Sequence, residues 1–330
     1  MMLTHATIAK AAPKFLLLAL VLTLAPGCVS RRDKPLVAED PKYTIADWKY
    51  GGRPGHVVTT DHYELYTTVT DENLLKIMPQ VLETCYLNYQ KTIPGREPAG
   101  RMPVYMFLQR GEFEHFTRRL SPEKAETLVQ VRNGGYSERG VTVVQYVSHE
   151  FTFPLMTHEA FHQYLYHCVH EDVPAWLNEG VAVCFEGQYG SNTGIRAFDA
   201  WYNPSRRGKL VESLQRQDLF SLSELLRIHA GHVVGGSMRR IGAYYGQVWA
   251  LVLFLQEGED GKYAEGFRRM LEAISRNEHT RHSEAAYAMA SDGGQYDPGT
   301  SLFAAFISPD IETVNREYVR FMRQRFLGER

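Results

Sequence analysis

No apolar run in this chain is long enough to cross a bilayer. The candidate stretch, Phe15 to Leu24, is about half of the roughly twenty residues a transmembrane helix needs. An excess of charge of one sign is missing too. With 36 basic and 38 acidic residues the formal net charge is -2, which gives no reason to expect nucleic acid or an anionic surface as partner. Cysteine is scarce, with 4 in 330 residues: Cys28, Cys85, Cys168 and Cys184. Beyond Cys28 the three form an odd set. An oxidising compartment allows a bridge between Cys168 and Cys184, and buried free thiols are the equal alternative. What is present is ordinary for a folded protein. The hydrophobic fraction of 44% and charged fraction of 22% allow a sizeable core, arranged in one or two lobes.

The first residues read as a leader. Lys10 and Lys14 supply positive charge, Phe15 to Leu24 an apolar segment, and Leu24-Ala25-Pro26-Gly27-Cys28 a lipobox-like end. Residues 1–27 are therefore expected to be a lipoprotein signal peptide, with Cys28 carrying the lipid. Residues 28–50 are expected to be a tether, most clearly the charged, proline-containing stretch from Ser30 to Lys42.

The chemistry concentrates between Thr157 and Gly187, THEAFHQYLYHCVHEDVPAWLNEGVAVCFEG. His158 and His162 are four apart, so on a helix both rings point to one side and can reach a single metal ion. Glu159 lies next along the same edge, placed to act as a general base on a water at the metal without ligating it. Pro174 is expected to open a second helix and Gly187 to close it, after a turn from His170 to Val173, which brings Glu179 back as third ligand. Two histidines, one glutamate and one open position are the donor set of a catalytic zinc site. His167 and His170 are expected to be solvated or capping.

HEAFH followed by PAWLNEGVA resembles the gluzincin metallopeptidases, and more closely the peptidase MA-like domains of uncharacterised bacterial lipoproteins, with their H-E-x-x-H and W-L-x-E-G-x-A motifs. The resemblance implies zinc at His158, His162 and Glu179, with Glu159 as base. A metzincin site is excluded, because Leu165 and Cys168 stand where its glycine and third histidine belong. In one place the chain departs from the similar domains. The position four after the glutamate, often acidic and supporting a ligand histidine, is Val183. Glu186 or a backbone carbonyl must then take that part. The segment Y-x-Q-x-W-A-L at 245–251 also resembles those domains. By analogy with gluzincins it implies a tyrosine that donates to the developing oxyanion, Tyr245 by preference and Tyr244 in reserve.

Elsewhere the patterns are structural. His56 to Thr60 and Tyr63 to Thr68 alternate as a hairpin, and Thr70 is expected to cap a helix carrying Leu74, Met78, Val81, Leu82, Cys85 and Tyr89 on one face. Pro94 to Gly100 reads as a loop, Met102 to Leu108 as a buried strand and Glu112 to Leu120 as an amphipathic helix. A second hairpin, Gly134 to Tyr136 with Val141 to Val147, precedes the metal helix and offers an edge strand to an extended peptide. Gln188 to Gly208 reads as a long surface loop. Helices follow near Leu222 to His229, Tyr244 to Leu255, Tyr263 to Ile274, His282 to Ala290 and Ile311 to Phe326, with a flexible link at Gly231 to Gly236. His229 and His232 are not expected to ligate.

The expectation is an α+β fold: a mixed-sheet lobe over about residues 51–150, a mainly helical lobe over about 151–330, and zinc in the cleft between. The expected activity is zinc-dependent hydrolysis of a peptide or protein by a lipid-anchored, extracytoplasmic protein of a bacterial envelope. A non-catalytic lipoprotein scaffold on the same fold and a zinc hydrolase of a non-peptide amide are the other classes open.

Overall fold

The structure is a computed structural model and describes residues 36–130, 134–169, 172–191, 194–228, 237–290 and 296–329. The signal segment, Cys28, the first part of the tether, His170, His229, His232 and the Gly231 to Gly236 link lie outside the described residues. No helix among those described is long and apolar enough to cross a membrane.

An N-terminal mixed sheet is followed by a helical C-terminal part. Six strands take the order β1-β2-β3-β4-β6-β5, where β1 is Thr44–Tyr50, β2 Arg53–Thr59, β3 Tyr63–Thr67, β4 Met102–Phe107, β5 Gly135–Glu138 and β6 Val141–Gln145. The outer pairs are antiparallel; β3 with β4 and β4 with β6 are parallel. Two hairpins turn through two residues of positive φ, Gly51-Gly52 and Arg139-Gly140, the backbone that tight hairpins of twisted strands require.

One face of the sheet is covered by α1 (Glu72–Thr92) and α4 (His149–Cys168), burying Val58, Leu65, Val104, Met106 and Val144. The other carries Phe107, Tyr136 and Val143, under Phe113 and Phe116 of α2 (Arg110–Leu120). A short α3 (Ala125–Leu128) follows. Fully buried Gln163 fixes α4 to the sheet, donating to the carbonyls of Pro103 (2.7 Å) and Gly140 (2.8 Å) and accepting from Thr142 Oγ1 (3.1 Å).

The C-terminal part gathers around α8 (Met238–Glu257), buried on every side from Gly246 to Leu255 as expected of a helix with no solvent face. Packed on it are α5 (Ala175–Cys184), α6 (Pro204–Arg216), α7 (Leu222–Arg227), α9 (Ala264–Ser275) and α12 (Ile311–Met322). α10 (His279–Ala290) and α11 (Pro298–Phe306) pair with one another.

Several expectations are corrected. The tether does not extend to residue 50. Leu36 and Ala38 are already bonded to Asn88 and Thr84 of α1, and Thr44–Tyr50 is the outer strand, paired along its length with β2. Asp71, not Thr70, caps α1, accepting from Leu74 N at 2.9 Å. Pro174 is the N-cap of α5, and the helix ends at Cys184 with Phe185 as cap, not at Gly187. The region read as one surface loop holds a β-hairpin, β7 (Gln188–Ser191) with β8 (Gly194–Phe198), and then α6. Cys168 and Cys184 are free thiols, as is Cys85.

Candidate metal centre

α4 and α5 together build the site. On α4, Met156, Ala160, Phe161 and Tyr164 are buried in the core, leaving His158, Glu159 and His162 on the side toward α5. α5 is seated close to α8 by Gly180. A Cβ there would stand 2.7 Å from the Val248 carbonyl oxygen, so only glycine permits the approach. Its neighbour Glu179 then meets the histidines.

Nε2 of His158 lies 3.2 Å and Nε2 of His162 3.6 Å from the same oxygen, Oε2 of Glu179. The donor atoms all lie within 4.8 Å of one another, and this is the one such cluster among the described residues. The far side of each ring is held as well. Nδ1 of His162 pairs with Asn178 Oδ1 at 2.8 Å, and Nδ1 of His158 lies 2.9 Å from Glu186 Oε1, bent away from ideal hydrogen-bond direction. Both rings thus turn Nε2 inward, the orientation that outer partners impose on metal-binding histidines. Glu186, in the turn after α5, is the acidic residue beside His158, whereas Val183 is fully buried in the core.

The electrostatics fit a cation. Burial alone would lower the pKa of His158, but Glu179 and Glu186 more than reverse this and lift it to about 10. His162 is raised in the same way by Glu179. Glu179 is pushed up by burial and held well below the usual carboxylate range by the two imidazoles. A buried carboxylate with two imidazoles calls for positive charge, which two ring protons or one divalent ion supply. Two imidazole nitrogens and one carboxylate oxygen are a donor set that suits zinc.

Glu159 shares this field. Burial raises its pKa, against the pull of His158 and His162. The Tyr245 ring is 6.1 Å from that of His158, half-buried, and its phenol is held protonated by burial and by Glu179. Tyr244 is fully buried against Phe220, with a hydroxyl unbonded among the described residues. His167 bonds the Gly140 carbonyl at 3.0 Å and does not join the cluster. An open cleft of about 740 Å³ starts at His162 and Asn178 and continues over Leu165 and Val169 along α4, with Arg96 and Glu97 also lining it.

Sequence reasoning missed Asn178, Asn203 and Arg206. Asn178 had a signal, being polar within the apolar helix AWLNEGVAVC. Asn203 and Arg206, which bond Glu186 at 3.0 and 2.8 Å, had none, because their segment carried no visible helical stripe.

Residues 154–279 match the model of a family described as "Protein of unknown function (DUF1570)". No curated protein matches the chain. The matched span runs from inside α4 to the first residue of α10 and takes in every residue of the cluster and its partners, while the sheet precedes it.

Proposed function

We propose that the chain is a zinc metallopeptidase of the gluzincin type, a membrane-anchored hydrolase of peptide bonds. One observation carries the reading. Three donor atoms from His158, His162 and Glu179 converge within 4.8 Å, each ring held from behind, with Glu159 beside them on the same helix. Those three residues would hold the ion. When bound, zinc polarises a carbonyl oxygen and makes a nearby water more acidic.

The rest is done by the chain's own side chains. Glu159, its proton affinity raised by burial, accepts a proton from the attacking water and passes it to the leaving amine. Tyr245 is a phenol at neutral pH and donates to the oxygen on which negative charge develops. The cleft along α4 takes up the substrate chain, and β5, at the sheet's edge, offers unpaired backbone groups to it. The scaffold reading drew its specific support from Val183, and Glu186 beside His158 removes that support. Lipidation at Cys28 would hold the enzyme to a membrane of the bacterial envelope, outside the cytoplasm.

The test is digestion of a broad peptide library by the purified chain before and after chelation. Cleavage that stops on chelation and returns with zinc is expected. Zinc binding without any cleavage would replace this reading with the scaffold, and cleavage of simple amides alone would point to the non-peptide hydrolase.

A further inference from the structure

We propose that Arg206 is a positioning residue of the metal centre: acting through Glu186, it sets the direction in which His158 presents Nε2. The inference rests on the metal reading of His158, His162 and Glu179, and concerns Arg206, which that reading leaves idle.

Glu186 has a side chain only 9% exposed, so its carboxylate must be satisfied by the protein. Arg206 grips both oxygens, Nε to Oε2 at 2.8 Å and Nη2 to Oε1 at 2.6 Å. Oε2 also accepts from Asn203 Nδ2 at 3.0 Å. Two parallel bonds from a planar fork fix the plane of a carboxylate, which a single contact to an imidazole cannot do. Oε1 is the shared atom, since it is also the oxygen 2.9 Å from His158 Nδ1. A displaced guanidinium therefore moves the oxygen against which the ring is set.

The guanidinium is itself braced. Its Cζ lies 4.6 Å over the ring of Tyr245. Its backbone N–H donates to Asn203 Oδ1 at 3.1 Å, the N-cap bond of α6. Asn203 thus starts the helix with its oxygen and holds Glu186 with its nitrogen. The first turn of α6 is a fixed mount for one carboxylate, and that carboxylate faces a ligand ring. Charge neutralisation alone needs neither fork nor brace; a lysine would provide it.

The experiment measures zinc affinity of the purified full chain by chelator competition, with melting temperature recorded alongside. Arg206→Met and Glu186→Gln are each expected to weaken zinc about 10–100-fold, the usual loss on removing an outer partner of a ligand histidine. Arg206→Lys keeps the charge without the fork and should recover only part of the loss. The Glu186→Gln/Arg206→Met double variant should bind within about threefold of Glu186→Gln alone, because Arg206 acts through Glu186. Wild-type affinity in both Arg206→Met and Arg206→Lys, whatever their melting temperatures, would reduce Arg206 to a fold-stabilising ion pair. Losses that multiply in the double variant would show it acting by another route. A wild type that binds no zinc would bring down the metal reading and this inference with it, whereas normal zinc in the Arg206 variants overturns this inference alone.

Discussion

Each histidine of the cluster has two nitrogens to place, and the chain supplies a partner for both. Nε2 turns to Glu179, and Nδ1 to Asn178 or Glu186. A ring held at both ends keeps its direction, so the site is arranged before any ion arrives. Tyr245 stands on the remaining side. If its hydroxyl supports the oxyanion, Tyr245→Phe should cut kcat roughly 10²–10³-fold with little change in KM, the scale of one such donor. Steady-state kinetics check this, and a change below about threefold would assign the ring to packing. The cluster was legible because helical spacing is local information: His158 and His162 share a face at i, i+4, and Glu179 follows on the next helix. Glu186 was legible only as one of two candidates, beside a backbone carbonyl, once Val183 held the place that is often acidic in the similar domains. Arg206 was not, because its place beside Glu186 depends on how α6 packs, and no spacing encodes that.

At the scale of elements, the site depends on α5 lying close to α8, which Gly180 permits, and on α4 being bolted to the sheet by Gln163. A second fastening sits away from the His158, His162 and Glu179 cluster. In the β2–β3 turn, His62 Nδ1 lies 2.6 Å from Glu83 Oε2 of α1, and the ring stacks on Tyr86 at 3.6 Å. Burial alone would lower the pKa of His62, and Glu83 turns this into a net rise. Burial would raise that of Glu83, and His62 turns this into a net fall. A raised histidine stabilises fully below its unfolded value, about 6.5, and less as pH climbs past it; a lowered glutamate stabilises above its unfolded value, about 4.3, and less as pH drops below it. The pair therefore contributes most between about pH 4.3 and 6.5. His62→Gln should cost on the order of 2 kcal/mol in that window and less on either side. Unfolding of chelated protein across pH measures it, and a cost independent of pH would contradict the ionic account. Elements with alternating or helical stripes, such as β3, β4, α1 and α8, were readable from sequence. α6 was not, since PSRRGKLVESLQR shows mostly polar residues with only Leu210, Ser213 and Leu214 buried. α11 was hidden behind a proline and a glycine in PGTSLFAAF, although Asp297 caps it and Pro298 takes its first turn.

At the scale of the whole molecule, a mixed sheet and a helical part meet at α4 and α5, and the site is at that junction. The α+β class followed from the change of period along the chain, from strands and helices to helices alone. The strand order did not, because nothing in two hairpins says that β6 joins β4 in parallel and leaves β5 at the edge. The anchor belongs to this scale too. Expressed in a bacterium, the wild type should partition with membranes and take up labelled lipid while Cys28→Ala does neither; equal behaviour of the two would reject lipidation at Cys28. The central claim is that metal and proton transfer are divided among neighbouring carboxylates. It is tested most directly by zinc content and peptide hydrolysis measured together on Glu159→Gln and Glu179→Ala. Glu159→Gln keeps the shape of the side chain, so zinc should stay near one per chain while hydrolysis collapses, since a neutral amide takes no proton. Glu179→Ala leaves two histidines, so zinc and hydrolysis should both be lost. Loss of zinc from Glu159→Gln with retention in Glu179→Ala would contradict the assignment.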